Sequence, residues 1–161
     1  MTRAAIGLGG NLGDAAATLR QAIEALGALP GTRLLHVSRL YRTPAWGLTA
    51  QPDFINAVAV VETTLAPLAL LEHLLAIERR FGRVRVDGER WGPRTLDLDL
   101  LLHGEAQLDV PGLQLPHPRL HERAFALVPL VEAWPDAAIP GIGGAQACLD
   151  AMAGEGIEAL P

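Results

Sequence analysis

The chain has 161 residues, half of them hydrophobic, which suits one folding unit with a packed core and leaves little length for a second. A formal net charge of -5 argues against a nucleic-acid binder, and no run of 18 apolar, uncharged residues is present to span a membrane. The single cysteine, Cys148, excludes an internal disulfide framework, and the apolar run in "MTRAAIGLGG" is too short for a secretory signal, so a cytoplasmic location is expected. All 13 basic residues are arginine, which excludes a Schiff-base lysine or a P-loop lysine; any phosphate must be met by arginine forks.

"AAIGLGGN" reads as a short buried strand over residues 4–11 that ends in a glycine turn. Asp14 then opens an amphipathic helix with Leu19, Ile23 and Leu26 at helical spacing, broken by Pro30 and Gly31. "TRLLHVSRLYRT" alternates as one strand, with Leu35, Val37 and Arg39 on one side, and "PAWGLTAQP" is a loop. "DFINAVAVVET" is the strongest strand signal of the chain. Pro67 starts a second helix, "PLALLEHLLAIERRFG", which Gly82 closes. After the polar loop "RVRVDGERWGPR" comes a strand, "TLDLDLLLH". The order is β-α-β-β-α-β, a ferredoxin-like α+β arrangement in which two helices cover one face of an antiparallel sheet. The last third adds a C-terminal extension: a short strand, a proline turn, a helix, and a Gly- and Ala-rich tail with one short helix. Without repeats or a low-complexity linker, residues 1–161 read as a single domain.

Within "ERWGPRTLDLDLLLHG", aspartate is a poor strand former, yet Asp97 and Asp99 interrupt an apolar run. Residues two apart on a strand share a face, about 6.5–7 Å apart. Thr95, Asp97, Asp99 and Leu101 therefore share one face, and Leu96, Leu98, Leu100 and Leu102 the other, toward the helices. A plain exposed face would explain polar residues here. It does not explain two neighbouring carboxylates that repel each other, preceded by Arg90 and Arg94 in a loop rich in turn residues. Paired carboxylates beside arginines suit Mg²⁺ with phosphate, hard oxygens for the metal and forks for the oxyanions. The loop over residues 82–92 adds Arg83 and Arg85 between glycines and reads as a lid. "PHPRLHER" places His117, Arg119, His121 and Arg123 at a helix start; the spacing of its histidines is no zinc signature. "GLGGN" lacks the G-x-G-x-x-G of a dinucleotide fingerprint.

Taken together, "LGGNLGD", "YRTPAWG", "QPDFINAV", "RWGPRTLDLDLLLHG" and "LPHPRLHERAFALVPL" resemble the 6-hydroxymethyl-7,8-dihydropterin pyrophosphokinases, in motif order, from about residue 5 to about 135. The resemblance implies a ferredoxin-like core and transfer of pyrophosphate from ATP to the pterin hydroxymethyl group, releasing AMP, in folate biosynthesis. It implies two Mg²⁺ ions held by Asp97 and Asp99, which with Arg83 and Arg94 form the catalytic set. Asp99 is also placed to accept the hydroxyl proton. For the pterin it implies Phe54 and Phe125 as a stacking pair, the Asn56 amide on the ring edge, and backbone groups of Thr43 and Trp46. Core packing is the alternative for Phe54, Asn56 and Phe125. For ATP it implies Glu78, Arg85, Trp91, Leu100, His117 and Arg123, although Glu78 also reads as a surface charge at a helix end. Gly112 stands where some relatives carry a basic residue, and the arginine loop is one residue longer than in some. The expected partners are small molecules, ATP and the reduced pterin, with no nucleic acid, no membrane and a monomeric chain. A non-catalytic ferredoxin-like domain would have no use for the aspartate pair. A metal-dependent phosphohydrolase would have no use for the aromatic pair.

Overall fold

Small and branched residues alternate along β1 (Thr2–Gly10), sending Ala4, Ile6 and Leu8 to one face and Ala5, Gly7 and Gly9 to the other. The computed structural model that shows this describes residues 1–44, 52–82, 95–152 and 156–160. Asp14 caps α1 (Ala15–Gly27), its carboxylate accepting the Ala17 N–H at 3.1 Å, and Leu19, Ala22 and Leu26 form the buried stripe. The stretch that alternates as one strand in the sequence forms two, β2 (Thr32–Val37) and β3 (Tyr41–Thr43). Ser38 makes the break: its hydroxyl accepts the Val58 N–H at 2.9 Å and donates to its neighbour's carbonyl, so a side chain takes over part of the ladder. β4 (Phe54–Thr63) follows, then α2 (Pro67–Arg80), which ends at Phe81 and a Gly82 with φ +81°. β5 (Asp97–His103) leads into a hairpin, β6 (Leu108–Val110) and β7 (Leu113–Leu115), of which only the second strand is expected from the sequence.

The chain then passes a 3-10 turn (Leu120–Glu122) into α3 (Ala124–Ala133). A small ribbon, β8 (Ala138–Ile139) with β9 (Gly143–Gly144), precedes α4 (Ala145–Asp150). Finally β10 (Glu158–Ala159) returns to pair with β3. The main sheet is antiparallel in the order β10-β3-β4-β1-β5, with β2 also on β4. β1 lies between β4 and β5, and among the described residues β5 ends the sheet.

Two cores flank this sheet. Leucines and alanines of α1 and α2 cover Ala4, Ile6, Leu8, Ala57, Ala59, Val61, Leu98 and Leu100. On the other face, Leu127 and Leu130 of α3 pack with Ala5, Val58, Val60 and Leu101. Helices on one face describe α1 and α2; α3 lies on the opposite side. "AFALVPLVEA" is apolar almost all round, as suits a helix buried against a sheet and a neighbouring helix. Complete burial of Leu127 and Leu130 stabilises this layer by about 1.5–3 kcal/mol each. No helix among the described residues is long and apolar enough to cross a membrane.

A polar clamp fixes α3 to the sheet edge. Glu132 accepts from the Arg39 backbone N–H and from its Nε, both at 2.6 Å, while the Arg39 guanidinium lies over the Tyr41 ring and donates to its hydroxyl at 3.3 Å. Burial pushes the Glu132 carboxyl up, but the two Arg39 donors and Tyr41 together hold it below its ordinary value. A depressed carboxylate contributes stability that is present above its unfolded pKa and lost as pH falls through the folded one. Denaturant titrations should therefore show Glu132→Gln less stable than the parent at pH 7. The gap should shrink toward pH 3, and a gap of constant size would show that the charge does not matter.

Candidate functional site

The register of the sheet assembles the site. Antiparallel pairing places Asp97 opposite Gly9, Gly9 opposite Asn56, and Asn56 opposite Tyr41, all on one face. The next row holds Asp99, Gly7 and Val58. Along β5 this face runs Asp97, Asp99, Leu101, and along β4 it runs Phe54, Asn56, Val58, Val60. Leu101, Val58 and Val60 lie in the core under α3, whereas Asp97, Asp99 and Phe54 are half-buried. The helix covers one end of the face, and the polar residues occupy the other.

Glycines in the central strand make the floor. A Cβ on Gly9 would stand 3.0 Å from Asn56 Oδ1, and one on Gly7 would touch Leu101 at 3.4 Å. Strand glycines give up packing, and here they let the Asn56 amide lie down beside the aspartate row. Asn56 is 8% exposed and its Nδ2 donates to Thr43 Oγ1 at 2.8 Å, a diagonal pair between β4 and β3. In this arrangement the amide oxygen lies toward Gly9. Asn11, at the end of β1, donates to the Pro52 carbonyl at 3.0 Å and ties the floor to the approach of β4.

His117 and Arg123 come in from the segment after β7. The His117 N–H donates to the Leu101 carbonyl at 3.0 Å, and its Nδ1 accepts the Arg119 N–H at 3.2 Å. Burial, with the nearby Arg123 charge, brings the imidazole down to about 4 against the opposite pull of Asp97. The ring is neutral at pH 7, and with Nδ1 accepting, Nε2 carries the proton and is a donor. The Arg123 guanidinium stands 5.6 Å from the centre of the Phe125 ring, so a cation and an aromatic lie together where α3 begins.

Thus the described residues bring Asp97, Asp99, Asn56, Thr43 and Phe54 onto one face, with His117 near enough to Asp97 and to Arg123 to feel both charges and with Phe125 beside Arg123. Leu100 faces the other way: its side chain is packed in the core with α1 and α2, leaving only its backbone for a ligand. Glu78 is 2% exposed and accepts the Leu98 N–H at 2.7 Å, so it is not a surface charge. Trp46, Arg83, Arg85, Arg90, Trp91, Arg94 and the expected lid over residues 82–92, except Gly82, lie outside the described residues.

Asp97 and Asp99 fit a magnesium ion in chemistry: hard oxygen donors, side by side, over a floor without side chains. Among the described residues no cluster of three or more His, Cys, Asp or Glu could cage a metal alone. Mg²⁺ takes one or two carboxylates and completes its shell with water and substrate phosphates, which such a pair suits. The glycine floor and the partner of Glu78 are not apparent from motif reading. The alternation Gly7, Gly9 inside a strand was the available signal for the first.

Comparison with known proteins adds to this geometry. A family model for 7,8-dihydro-6-hydroxymethylpterin-pyrophosphokinase (HPPK) matches residues 5–135. A 2-amino-4-hydroxy-6-hydroxymethyldihydropteridine pyrophosphokinase of Methylorubrum extorquens is 51% identical over 141 residues, 88% of each chain. One of Pseudomonas aeruginosa is 47% identical over 159 residues, 99% of this chain and 97% of that one. Among solved structures, the wild-type HPPK-DHPS of Plasmodium falciparum with STZ-DHP superposes with a TM-score of 0.73 at 14% identity. That match covers 93% of this chain and 43% of the other; at such identity it shows a shared fold.

Gly9 does not have a left-handed φ, so alanine fits its backbone, but the added Cβ must displace Asn56 Oδ1. In Gly9→Ala the side-chain amide resonances of Asn56 should shift and exchange faster as the Thr43 bond weakens, with the circular dichroism of the fold retained. Unchanged Asn56 resonances would show that the amide is not held against this strand.

Proposed function

This chain belongs to the 7,8-dihydro-6-hydroxymethylpterin-pyrophosphokinase family, and we propose that it transfers pyrophosphate from ATP to 6-hydroxymethyl-7,8-dihydropterin in folate biosynthesis. The hydroxymethyl oxygen forms a bond to the β-phosphorus, the bond from that phosphorus to the α-phosphate oxygen breaks, and AMP leaves. The observation that carries the reading is one sheet face with a carboxylate pair at one side and a fixed, buried amide at the other. A phosphohydrolase would have use for the first half only.

Each described residue then has a task. Asn56 reads the pterin edge; its bond to Thr43 uses one donor of an amide that has two, and leaves the ring edge a donor and an acceptor. Phe54 and Phe125 offer flat apolar surfaces to a rigid heterocycle. His117, neutral and donating, and Arg123, cationic, approach the phosphates from the side of Asp97. Asp97 and Asp99 would hold Mg²⁺, which supplies neutralisation of phosphate charge and alignment of the reacting groups when bound. The hydroxyl proton goes to a carboxylate, for which Asp99 is the candidate. Arg83, Arg85, Arg94, Trp46 and Trp91 keep the roles that the family resemblance gives them. The antiparallel strand order and the two helix crossovers support the ferredoxin-like description of the core. We further propose that residues 1–161 work as one monomeric unit in the cytoplasm, a place that suits a lone cysteine.

AMP formation from ATP, followed with and without the reduced pterin, tests the reaction. Pterin-dependent AMP is expected, and pterin-independent phosphate release would point to a hydrolase. Asp97→Ala and Asp99→Ala should each lower turnover by far more than tenfold, about 1.4 kcal/mol of barrier. Circular dichroism of their apoproteins should match the parent's. Activity within tenfold of the parent would remove the aspartates from the mechanism. Phe125→Ala should weaken pterin binding by about 1–3 kcal/mol, by analogy with base–aromatic stacking, with little change for ATP. Calorimetry that showed an equal loss for both ligands would make Phe125 a core residue.

A further inference from the structure

We propose that Glu78 is a positioning residue: it holds the peptide between the two aspartates by accepting the Leu98 N–H. The functional half of this inference rests on the pyrophosphokinase reading; the structural half stands alone.

Glu78 occupies a place where the pattern asks for a hydrocarbon. Leu70, Leu74, Ile77 and Glu78 are the buried positions of α2, one continuous stripe facing the sheet. An acidic side chain there is unfavourable twice: it is 2% exposed, and it lies in the last turn, where the helix dipole prefers the cations Arg79 and Arg80. Such a residue persists where it supplies something an apolar one cannot. An acceptor is one such thing: Oε2 stands 2.7 Å from the Leu98 nitrogen.

Leu98 is the residue between Asp97 and Asp99. Among the described residues β5 ends the sheet, so a backbone N–H on its outer edge has no strand there to pair with, and a buried unpaired N–H costs about 1–3 kcal/mol. The Leu98 nitrogen also belongs to the peptide that follows Asp97. Fixing it fixes the plane on which the Asp97 Cα is carried, and through the strand pitch the place of Asp99. The Leu98 side chain, 2% exposed, anchors the same residue in the core from the helix side. Side chain and backbone together hold the middle of the D-L-D triplet, while its two carboxylates face the opposite way.

The acceptor, not the charge, is what this role requires, and two substitutions separate them. Glu78→Gln keeps an oxygen acceptor at the same reach. Glu78→Met keeps the volume and removes the acceptor. Three quantities are read: amide exchange of Leu98 in the metal-free protein, the Mg²⁺ concentration at half-maximal AMP formation, and the affinity for a non-hydrolysable ATP analogue. Glu78→Met should speed Leu98 exchange by about tenfold or more and raise the Mg²⁺ midpoint severalfold. Glu78→Gln should keep both within about threefold of the parent. Leu98 still protected in Glu78→Met overturns the proposal. So does a Glu78→Met protein that loses Leu98 protection while its Mg²⁺ midpoint and analogue affinity stay those of the parent. If Glu78→Met does not fold, Glu78→Gln decides by these same measures. A parent protein without pterin-dependent AMP formation would sink the assigned reaction and leave the exchange result to be judged separately.

Discussion

The central strand lacks side chains at two positions on one face, and the site depends on that. Gly7 and Gly9 lie between the aspartates of β5 and the Asn56–Val58 stretch of β4. Any larger residue at Gly9 would meet the Asn56 oxygen. A sheet whose middle strand is bare can carry functional groups from both neighbours in one plane, with a shallow floor between them. The loss of packing in β1 is offset on the other face, where Ala4, Ile6 and Leu8 are completely or almost completely buried.

The second constraint is the partial cover of that face. α3 fills only the end that carries Ala5, Val58, Val60 and Leu101. The change from apolar to polar happens within single strands, between Leu101 and Asp99 and between Val58 and Asn56. Because those neighbours belong to the same rigid sheet, the core that stabilises the fold also holds the site in register. The Arg39–Glu132–Tyr41 clamp extends this coupling. It joins α3, whose first turn carries Phe125, to the stretch leading into β3, which carries Thr43.

Much of this was legible in the sequence because short-range rules govern it. The period of two separated Asp97 and Asp99 from Leu96, Leu98 and Leu100, although the register shift at Ala5 and Ile6 carries Leu102, expected on the same side, into the core under α3; Asp14 and Pro67 marked helix starts, and Gly82 marked an end. The motif strings were specific enough to imply the reaction. Long-range contacts were not legible. Ser38 splits a strand by reaching for β4, and nothing in "VSRL" announces a partner 20 residues away. α3 reads as a helix from its residues, but which side of the sheet it covers depends on the path of the hairpin and turn before it. The burial of Glu78 was hidden for a similar reason: an acidic residue near two arginines at a helix end looks solvated until β5 is placed against it.

Three acidic residues therefore surround one peptide, and the arrangement separates their duties by face. Asp97 and Asp99 project to the side where substrates and metal are proposed to bind, and Glu78 comes from the helix side. In an isolated strand the like charges of the pair would favour a splayed, mobile edge. Here β1 holds the inner edge of β5 by its ladder, Glu78 holds the outer edge at Leu98, and Leu96, Leu98 and Leu100 are anchored in the core. The backbone that carries the pair is therefore fixed from both edges and from the core. A carboxylate pair held in this way would suit the proposed metal without having to be ordered by it. The organisation is present in the ligand-free chain, and it resides in the backbone rather than in the carboxylates themselves.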